Sequence, residues 1–466
     1  MVADREQKRN SKKVFWMKRI SNSLTDDQYN VALEIDLVTL EKVFTMELLK
    51  LLRTFNSADN IELKEILQQE WEISVQSEPA NWNLLDSKCW RENFAWSGCE
   101  QRCDAALEEA VAIIAARQEL HLLAWHCHRL IFDVDNFDTS KLAALIPLLD
   151  NIKPDFNAVF FLWLTLGTVP RLRGRNELRG IPDEITKATL WDIAIAQRRY
   201  ARYHDNKIGM QPRLFSWHRL ITSGNLHRVG RFEYIARPFR GRLRAFRNTQ
   251  NHDVIALSTP EIKYNAEGYF PLNGEEASWS SDFVTTESTF KGSPVSPRGF
   301  ACSHTVEINH GEWEEVLAPE DTVLEIHIPE GEALSEDACR QSFADAISFF
   351  AKFYPEVKAR SFVCYSWLFN TQFETLFAPN SNIVGWQREV YEFPMPSTGG
   401  DGLYFIFGQD KIDPSTAPRD SQLRRAIVEH LEAGNTLRSG GMFFLFDDLE
   451  KYGTQCYRAM EKNWKF

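Results

Sequence analysis

Cysteines, long apolar runs and an apolar leader are scarce or missing in this sequence, and each scarcity excludes a class of protein. Eight cysteines among 466 residues are too few for a disulfide scaffold, which predicts a reduced, cytoplasmic protein. The basic first 20 residues lack the apolar core of a signal peptide. The most apolar run, Ala158 to Leu166, is far shorter than the roughly 20 residues that span a bilayer, so no membrane partner is expected.

Common catalytic signatures are also absent. The sequence has no P-loop, no dinucleotide-binding glycine run, no Gly-x-Ser-x-Gly elbow and no His-Glu-x-x-His. A net charge of −12 argues against a nucleic-acid partner. The stretch from Arg171 to Arg247 nevertheless carries 18 Lys and Arg against 6 Asp and Glu. This basic stretch either steers an anionic ligand or forms a solvated, ion-paired surface.

A metal site in the first half is a weak alternative. The Cys and His residues concerned are Cys99, Cys103, His121, His126, Cys127 and His128. Their spacing matches no common zinc pattern, and a helix would project residues 126, 127 and 128 in different directions. We therefore expect no metal cofactor.

The first half has the apolar spacing of helices. Leucine, isoleucine and valine recur at three- and four-residue steps in Val31–Phe55, Cys103–Phe132, Thr139–Leu149 and Glu184–Tyr203. Hardly any period-2 pattern occurs before residue 215. The sequence predicts a disordered basic tail over residues 1–13 and an all-helical domain over residues 14–215.

Strand-like alternation begins after residue 216. Arg228–Pro238 alternates clearly, and Leu243–Leu257 is predicted to be its antiparallel partner. Further strands are predicted at Thr322–Ile328, Ser361–Trp367, Ile383–Phe393, Leu403–Phe407 and Met442–Phe446, with helices at Ser335–Phe353, Thr371–Phe377 and Gln422–Ala433. The fold class is thus α+β overall, with a mixed α/β sheet domain over residues 216–466. Residues 258–320 are expected to form a loop-rich insertion.

An ordered set of short segments between roughly residues 140 and 446 adds a resemblance. These segments are Arg179-Gly180-Ile181-Pro182, Thr189-Leu190-Trp191-Asp192, Gly230-Arg231-Phe232-Glu233, His327-Ile328-Pro329-Glu330-Gly331, Ser366-Trp367-Leu368, Asn380-Ser381-Asn382-Ile383-Val384, Trp386-Gln387-Arg388, Pro418-Arg419-Asp420-Ser421 and Gln422-Leu423-Arg424-Arg425-Ala426. The set resembles a bacterial family of acyltransferase domain-containing proteins, in which a helical N-acyltransferase N-terminal domain precedes a GNAT-like C-terminal domain. Residues 258–320 are longer than the family pattern.

The resemblance implies direct acyl transfer from a thioester to an amine. The donor would be acyl-CoA or an acyl-carrier protein, and the acceptor a small-molecule or peptide amine. GNAT-like enzymes hold the thioester where two parallel strands splay apart. If Thr322–Ile328 and Ser361–Trp367 are those strands, the catalytic candidates at the splay are His327, Cys364, Tyr365 and Ser366.

Each candidate has an assigned role, and His327 and Cys364 also have an alternative. His327 has the intrinsic pKa of a general base, or it is a hydrogen-bonded histidine at a strand end. Tyr365 or Ser366 would return a proton to the leaving thiolate. Cys364 is better explained as a small buried apolar residue than as a nucleophile.

Binding candidates surround these strands. Substrate contacts are assigned to Arg231, Glu233, Trp367, Asn382 and Gln387, and a donor contact to Gly331. Arg231 could bind a carboxylate or phosphate, or could form an ion pair across the sheet. Asn382 and Gln387 could orient a substrate amide, or could satisfy loop backbone.

The expected donor loop departs from the GNAT pattern. It contains Pro329, Glu330, Gly331 and Glu332, and the following helix begins Ser335-Glu336-Asp337. Four carboxylates here would repel the phosphates of CoA. The main alternative to an enzyme is therefore a non-catalytic GNAT-like ligand- or protein-binding module. A hydrolase that uses Ser366 or Cys364 is a third hypothesis, but it lacks a motif.

Overall fold

The computed structural model describes residues 48–462, so the predicted tail over residues 1–13 and most of the predicted Val31–Phe55 helix lie outside it. Helices dominate up to residue 222. They are α1 (Ile61–Gln68), α2 (Trp71–Ser77), α3 (Ser87–Ser97), α4 (Cys103–Ala115), α5 (Gln118–Phe132), α6 (Ile146–Asp150), α7 (Phe156–Thr165), α8 (Thr168–Arg179), α9 (Asp183–Leu190), α10 (Asp192–Tyr203) and α11 (Phe215–Thr222). The α+β fold class is confirmed.

Two of the predicted helical runs are each interrupted once. Cys103–Phe132 forms α4 and α5, which are separated at Ala116 and Arg117, and Glu184–Tyr203 forms α9 and α10. Eight of the ten residues of helix α7 are buried, and the indole of Trp163 donates to the carbonyl of Leu84 at 3.0 Å. Its apolar run therefore forms part of the core of the helical half.

Strands begin at residue 226. They are β1 (Leu226–Val229), β2 (Phe232–Pro238), β3 (Leu243–Asn248), β4 (Val254–Ser258), β5 (Lys263–Tyr264), β6 (Trp279–Ser280), β7 (Phe283–Thr285), β8 (Thr289–Gly292), β9 (Pro294–Ser296), β10 (Phe300–Ala301), β11 (Val306–Asn309), β12 (Trp313–Leu317), β13 (Thr322–His327), β14 (Ser361–Ser366), β15 (Tyr391–Pro394) and β16 (Gly440–Leu445). The main sheet has the order β1-β2-β13-β14-β16-β15, and a second has the order β10-β9-β4-β3-β12.

The remaining helices lie between these strands. They are α12 (Glu336–Phe353), α13 (Phe373–Leu376), α14 (Asn382–Glu389), α15 (Leu403–Phe407), α16 (Gln422–Glu432) and α17 (Cys456–Glu461). Ser335, predicted as the first residue of this helix, instead caps α12 through a hydrogen bond from the Ala338 amide to its hydroxyl.

The predicted pairing of Arg228–Pro238 with Leu243–Leu257 is wrong. Gly230, at a φ of +64°, lets the first run turn back on itself, so β1 pairs with β2. The second run also folds back, as the β3–β4 hairpin of the second sheet. Each of the two predicted strands is therefore a hairpin of two shorter antiparallel strands.

Two of the predicted strands are wholly or partly helical. Ile383–Phe393 contains helix α14 and only then strand β15, and Leu403–Phe407 is helix α15. Gly402 and Gly408, both in the left-handed region, flank α15. A short apolar run has no periodicity that distinguishes a strand from a helix. The glycines on both sides of Leu403–Phe407 were the available sign of helix ends.

Helix α12 covers one face of the main sheet. The ring of Phe343 stacks on Phe362 with centroids 4.4 Å apart, and the hydroxyls of Tyr234 and Ser342 are 2.8 Å apart. The second sheet packs on the opposite face near β15, where the amide of Ala256 donates to the Tyr391 hydroxyl at 3.0 Å. The main sheet is therefore a middle layer.

The chain divides into two compact units. One runs to Thr168 and includes Ala196–Arg219, and the other consists of Val169–Ile195 and the chain from Leu220 onward. The second unit therefore includes α9, whose Thr189 hydroxyl accepts from the Arg228 amide at 3.0 Å on strand β1. The domain limit at residues 215 and 216 stays a prediction.

Gly440 fixes the approach of β16 to the segment after β14. A Cβ at this position would lie 2.2 Å from the carbonyl oxygen of Phe369. We expect Gly440→Ala to lower the free energy of unfolding by about 1–3 kcal/mol, because the backbone must shift. Gly385→Ala in α14, with open space around its Cβ, should instead raise it by about 0.5–1 kcal/mol. Chemical denaturation measures both, and equal effects would contradict the prediction.

Candidate functional site

Strands β13 and β14 are adjacent and parallel, as predicted, and they separate at their carboxyl ends. Their paired residues are Leu324 with Phe362 and Glu325 with Val363. Beyond these pairs each strand follows its other neighbour. On the outer side of β13, His327 lies opposite Glu233 of β2, and β14 stays paired with β16 to its end at Ser366. The main sheet therefore opens between β13 and β14.

The four catalytic candidates lie near this opening but on two faces of the sheet. Successive side chains of a strand point to opposite faces. The Glu325–Val363 pair therefore places His327 and Tyr365 on one face. Cys364 and Ser366 share the other face with Phe362, against which α12 packs.

His327 has a carboxylate beside one ring nitrogen. Its Nε2 lies 3.2 Å from Oε1 of Glu325, and its side chain is 28% exposed, against 6% for Glu325. Arg237 and Arg240 also reach this carboxylate, at 3.7 and 2.9 Å. Burial alone would raise the pKa of Glu325, but His327 and the two arginines outweigh it and hold the pKa below its usual value.

Tyr365 is bound to the same cluster. Its hydroxyl accepts the backbone N–H of Arg240 at 3.0 Å. Burial raises the pKa of Tyr365 to about 12. The phenol therefore keeps its proton at neutral pH and can donate it, as a general acid must.

Cys364 and Ser366 have local roles. Cys364 is 1% exposed, and burial raises the pKa of its thiol. The hydroxyl of Ser366 accepts the Leu368 amide at 3.2 Å and caps the 3₁₀ turn Trp367–Phe369. Neither residue has a base beside it among the contacts of residues 48–462, so this arrangement does not resemble that of an activated nucleophile.

Arg231 organises the expected donor loop. Its guanidinium donates to the carbonyls of Pro329 at 2.9 Å and Ala333 at 3.3 Å. Gly331 lies between these anchors at a φ of +131°, and nothing surrounds the position of its absent Cβ within 4 Å. The loop is therefore held at both ends and open at its middle.

Glu233, also assigned to substrate binding, is 2% exposed. Burial, followed by the charge of Asp192, raises its pKa well above the usual range against the opposing effect of Arg228 and Arg231. Burial therefore disfavours the ionised form of this carboxyl.

The remaining binding candidates lie after β14. Gln387 is buried and donates to the carbonyls of Leu368 and Asn370 at 2.8 and 3.0 Å. Asn382 is exposed in the first turn of α14. Trp367 stacks on Phe405 with centroids 6.5 Å apart. Gln387 thus supports the loop backbone, while Asn382 and Trp367 lie closer to the surface.

Sequence reasoning missed Glu325 and Arg240. A signal for Glu325 existed, since a carboxylate inside the apolar strand Val-Leu-Glu-Ile-His is rarely buried without a partner. No sequence pattern pointed to Arg240, because it follows β2 and contacts Glu325 of β13 only in the folded chain.

The residues discussed as a zinc set make other contacts. Nδ1 of His126 lies 2.7 Å from the Ser74 hydroxyl, and Nδ1 of His121 lies 2.5 Å from Glu78. Within residues 48–462, no group of three His, Cys, Asp or Glu side chains could hold a metal ion. In the same range, no helix combines the length and apolarity needed to cross a membrane.

Comparisons with known proteins give the same two-part organisation. Residues 95–224 match the model of the N-acyltransferase N-terminal domain, and residues 226–444 match the GNAT-like C-terminal domain. No curated protein matches the chain.

Solved structures share the fold. An acyltransferase in complex with decanoyl-CoA and teicoplanin is 18% identical, with a TM-score of 0.55, over 85% of this chain and 98% of its own. A mutant acyltransferase in complex with octanoyl-CoA has the same identity and coverage and a TM-score of 0.54. The chain therefore belongs to the family in which an N-acyltransferase N-terminal domain precedes a GNAT-like C-terminal domain.

Proposed function

We propose that this protein is an N-acyltransferase that moves an acyl group from a thioester to an amine at the opening between β13 and β14. The observation that carries the proposal is the separation of these parallel strands after Glu325 and Val363, with His327 and Tyr365 on one face at their open ends. A base and an acid thus face the place where a thioester would lie.

Each group has one step in the reaction. The amine nitrogen attacks the thioester carbonyl carbon, and His327 takes the proton that the amine loses. The C–N bond forms as the C–S bond breaks, and Tyr365 supplies a proton to the departing thiolate. The products are an amide and a free thiol. The phenolate of Tyr365 then regains a proton from His327 through solvent, which restores the site.

The donor is an acyl-CoA, with an acyl-carrier protein as the alternative. The similar acyltransferases contain decanoyl-CoA, octanoyl-CoA or CoA, and one binds teicoplanin. A small-molecule or peptide amine is the proposed acceptor, and the cytoplasm the proposed location. The loop residue assigned to the donor is Gly331, whose open surroundings admit a ligand.

Ligand binding tests the donor. We expect decanoyl-CoA at tens of micromolar to raise the melting temperature, because a ligand that binds the folded state stabilises it. Decanoyl-N-acetylcysteamine, which has the thioester without the phosphates, is the matched control. Release of free thiol on adding a panel of amines then measures transfer.

Three outcomes are distinguishable. Stabilisation by decanoyl-CoA with amine-dependent thiol release supports the enzyme. Stabilisation without release across the panel favours a non-catalytic binding module, for which the carboxylates of Glu330, Glu332, Glu336 and Asp337 are the specific argument. Stabilisation by neither thioester contradicts the proposal.

A further inference from the structure

Two carboxyl groups flank His327 on its own face of the sheet. Glu325 precedes it by two residues on β13, and Glu233 lies opposite it on β2. Residues in these positions of an antiparallel pair have neighbouring side chains. Which of the two is ionised determines the charge that lies beside the imidazole.

Their surroundings differ sharply. Glu325 is in contact with His327, Arg237 and Arg240, and they hold its pKa below the usual value against burial. Burial raises the pKa of Glu233 well above the usual value of a glutamate. Oε1 of Glu233 is buried without a hydrogen bond from any described residue. A buried carboxylate oxygen without a hydrogen bond is costly, so ionisation is disfavoured at Glu233 and favoured at Glu325.

The two oxygens of Glu325 serve different partners. Oε1 lies 3.2 Å from Nε2 of His327 and 3.7 Å from Nη1 of Arg237. Oε2 lies 2.9 Å from Nη2 of Arg240, whose side chain is 57% exposed. The Arg240 backbone in turn donates to Tyr365, the uncharged group that β14 contributes. His327 and Arg240 therefore share one buried negative charge.

We propose that Glu325 is a positioning residue that orients the imidazole of His327 through Oε1 and stabilises its protonated form, and that Arg240 limits this stabilisation by sharing the carboxylate. The inference rests on the role of His327 as base in the proposed function. The carboxylate of Glu325 beside His327 favours proton uptake from the amine, whereas the nearby guanidinium of Arg240 opposes it. Arg240 thereby adjusts the base through the shared carboxylate.

The test follows chemical modification of His327 and needs no acyl substrate. Diethylpyrocarbonate reacts with the neutral imidazole, so the modification rate against pH, read by peptide mass spectrometry, reports the protonation of this side chain. We expect Glu325→Gln to move the midpoint of the profile to lower pH by about one unit, which is about tenfold in rate at acid pH. Arg240→Gln should move it the other way.

Controls separate charge from general disruption. Glu315→Gln and Arg244→Gln alter a 2.6 Å ion pair between β12 and β3, and both should leave the profile unchanged. Glu233→Gln should also leave the midpoint in place, because burial already disfavours ionisation of this carboxyl. Exposed His252 and His304 serve as internal references in every variant.

Several outcomes would overturn the inference. They are an unmoved midpoint in both Glu325→Gln and Arg240→Gln, shifts of the same sign, or a downward shift in Glu233→Gln alone. If Glu325→Gln fails to fold, the shift in Arg240→Gln decides, since that side chain is largely exposed. A protein that shows these shifts but no acyl transfer would contradict the proposed function and leave the arrangement of His327 and Glu325 established.

Discussion

His327→Ala should lower kcat for amine acylation by about 10²–10⁴, the usual contribution of a positioned general base. The fold should survive, because the side chain is 28% exposed and Glu325 keeps Arg237 and Arg240 as partners. Initial rates of thiol release at saturating decanoyl-CoA and amine measure the effect, with the melting temperature recorded on the same preparation.

The matched control is His252→Ala, which removes an exposed histidine from the turn between β3 and β4. It should retain the rate of the unaltered protein. A His327→Ala protein with full activity would exclude the base. A lower melting temperature without a specific loss of kcat would assign His327 a structural role instead.

Asp448→Ala should lower the free energy of unfolding by about 3–5 kcal/mol, the usual cost of breaking a buried ion pair. The Asp448 side chain is fully buried and accepts two hydrogen bonds from Arg247, at 3.0 and 2.7 Å. It also accepts from the Tyr457 hydroxyl at 2.9 Å and from Lys451 at 3.0 Å. Without the carboxylate, the 8% exposed guanidinium of Arg247 is left buried and uncompensated.

A second, more exposed ion pair formed from the same strand is the control for the Arg247–Asp448 pair. Arg244, also on β3, pairs with Glu315, and both are about one-third exposed. Glu315→Ala should therefore cost less than about 1 kcal/mol. Denaturant midpoints of the two variants test the difference, and equal losses would show that the Arg247–Asp448 pair is not a principal support of the fold.

The Asp448 effect should depend on pH. Burial raises the pKa of Asp448, but Arg247 and Lys451 outweigh it and hold the pKa below its usual value. Its contribution to stability is therefore present above the unfolded pKa of about 4 and is lost as pH falls through the lower folded value. The difference between the unaltered protein and Asp448→Ala should shrink in acid.

Part of the candidate site could be predicted from the sequence. Strands β13 and β14 have enough β-branched and aromatic residues to be recognised, and the resemblance made them neighbours, which brought His327 and Tyr365 together. The alternation of side chains also implies that Cys364 and Ser366 face away from Tyr365. The role of each residue stays a prediction.

Contacts between segments far apart in the chain could not be predicted from the sequence. Arg231 holds the carbonyls of Pro329 and Ala333, about a hundred residues away, and its assignment to substrate stays a prediction. Gln387 likewise supports the backbone after β14. A side chain's partner depends on which segment folds against it, and local pattern carries no information on that choice.

The sequence by itself determined the helical first half, the sheet-containing second half, and the strand that contains His327. Periodicity and composition act within a few neighbouring residues, so they specify an element where it is long or flanked by clear turn residues. Only the tertiary structure decided that β3 and β4 leave the main sheet, that Leu403–Phe407 is helical, and that Glu325 is shared between His327 and Arg240. These features depend on burial and on pairing between residues far apart in the chain, where the free energy of packing outweighs local preference.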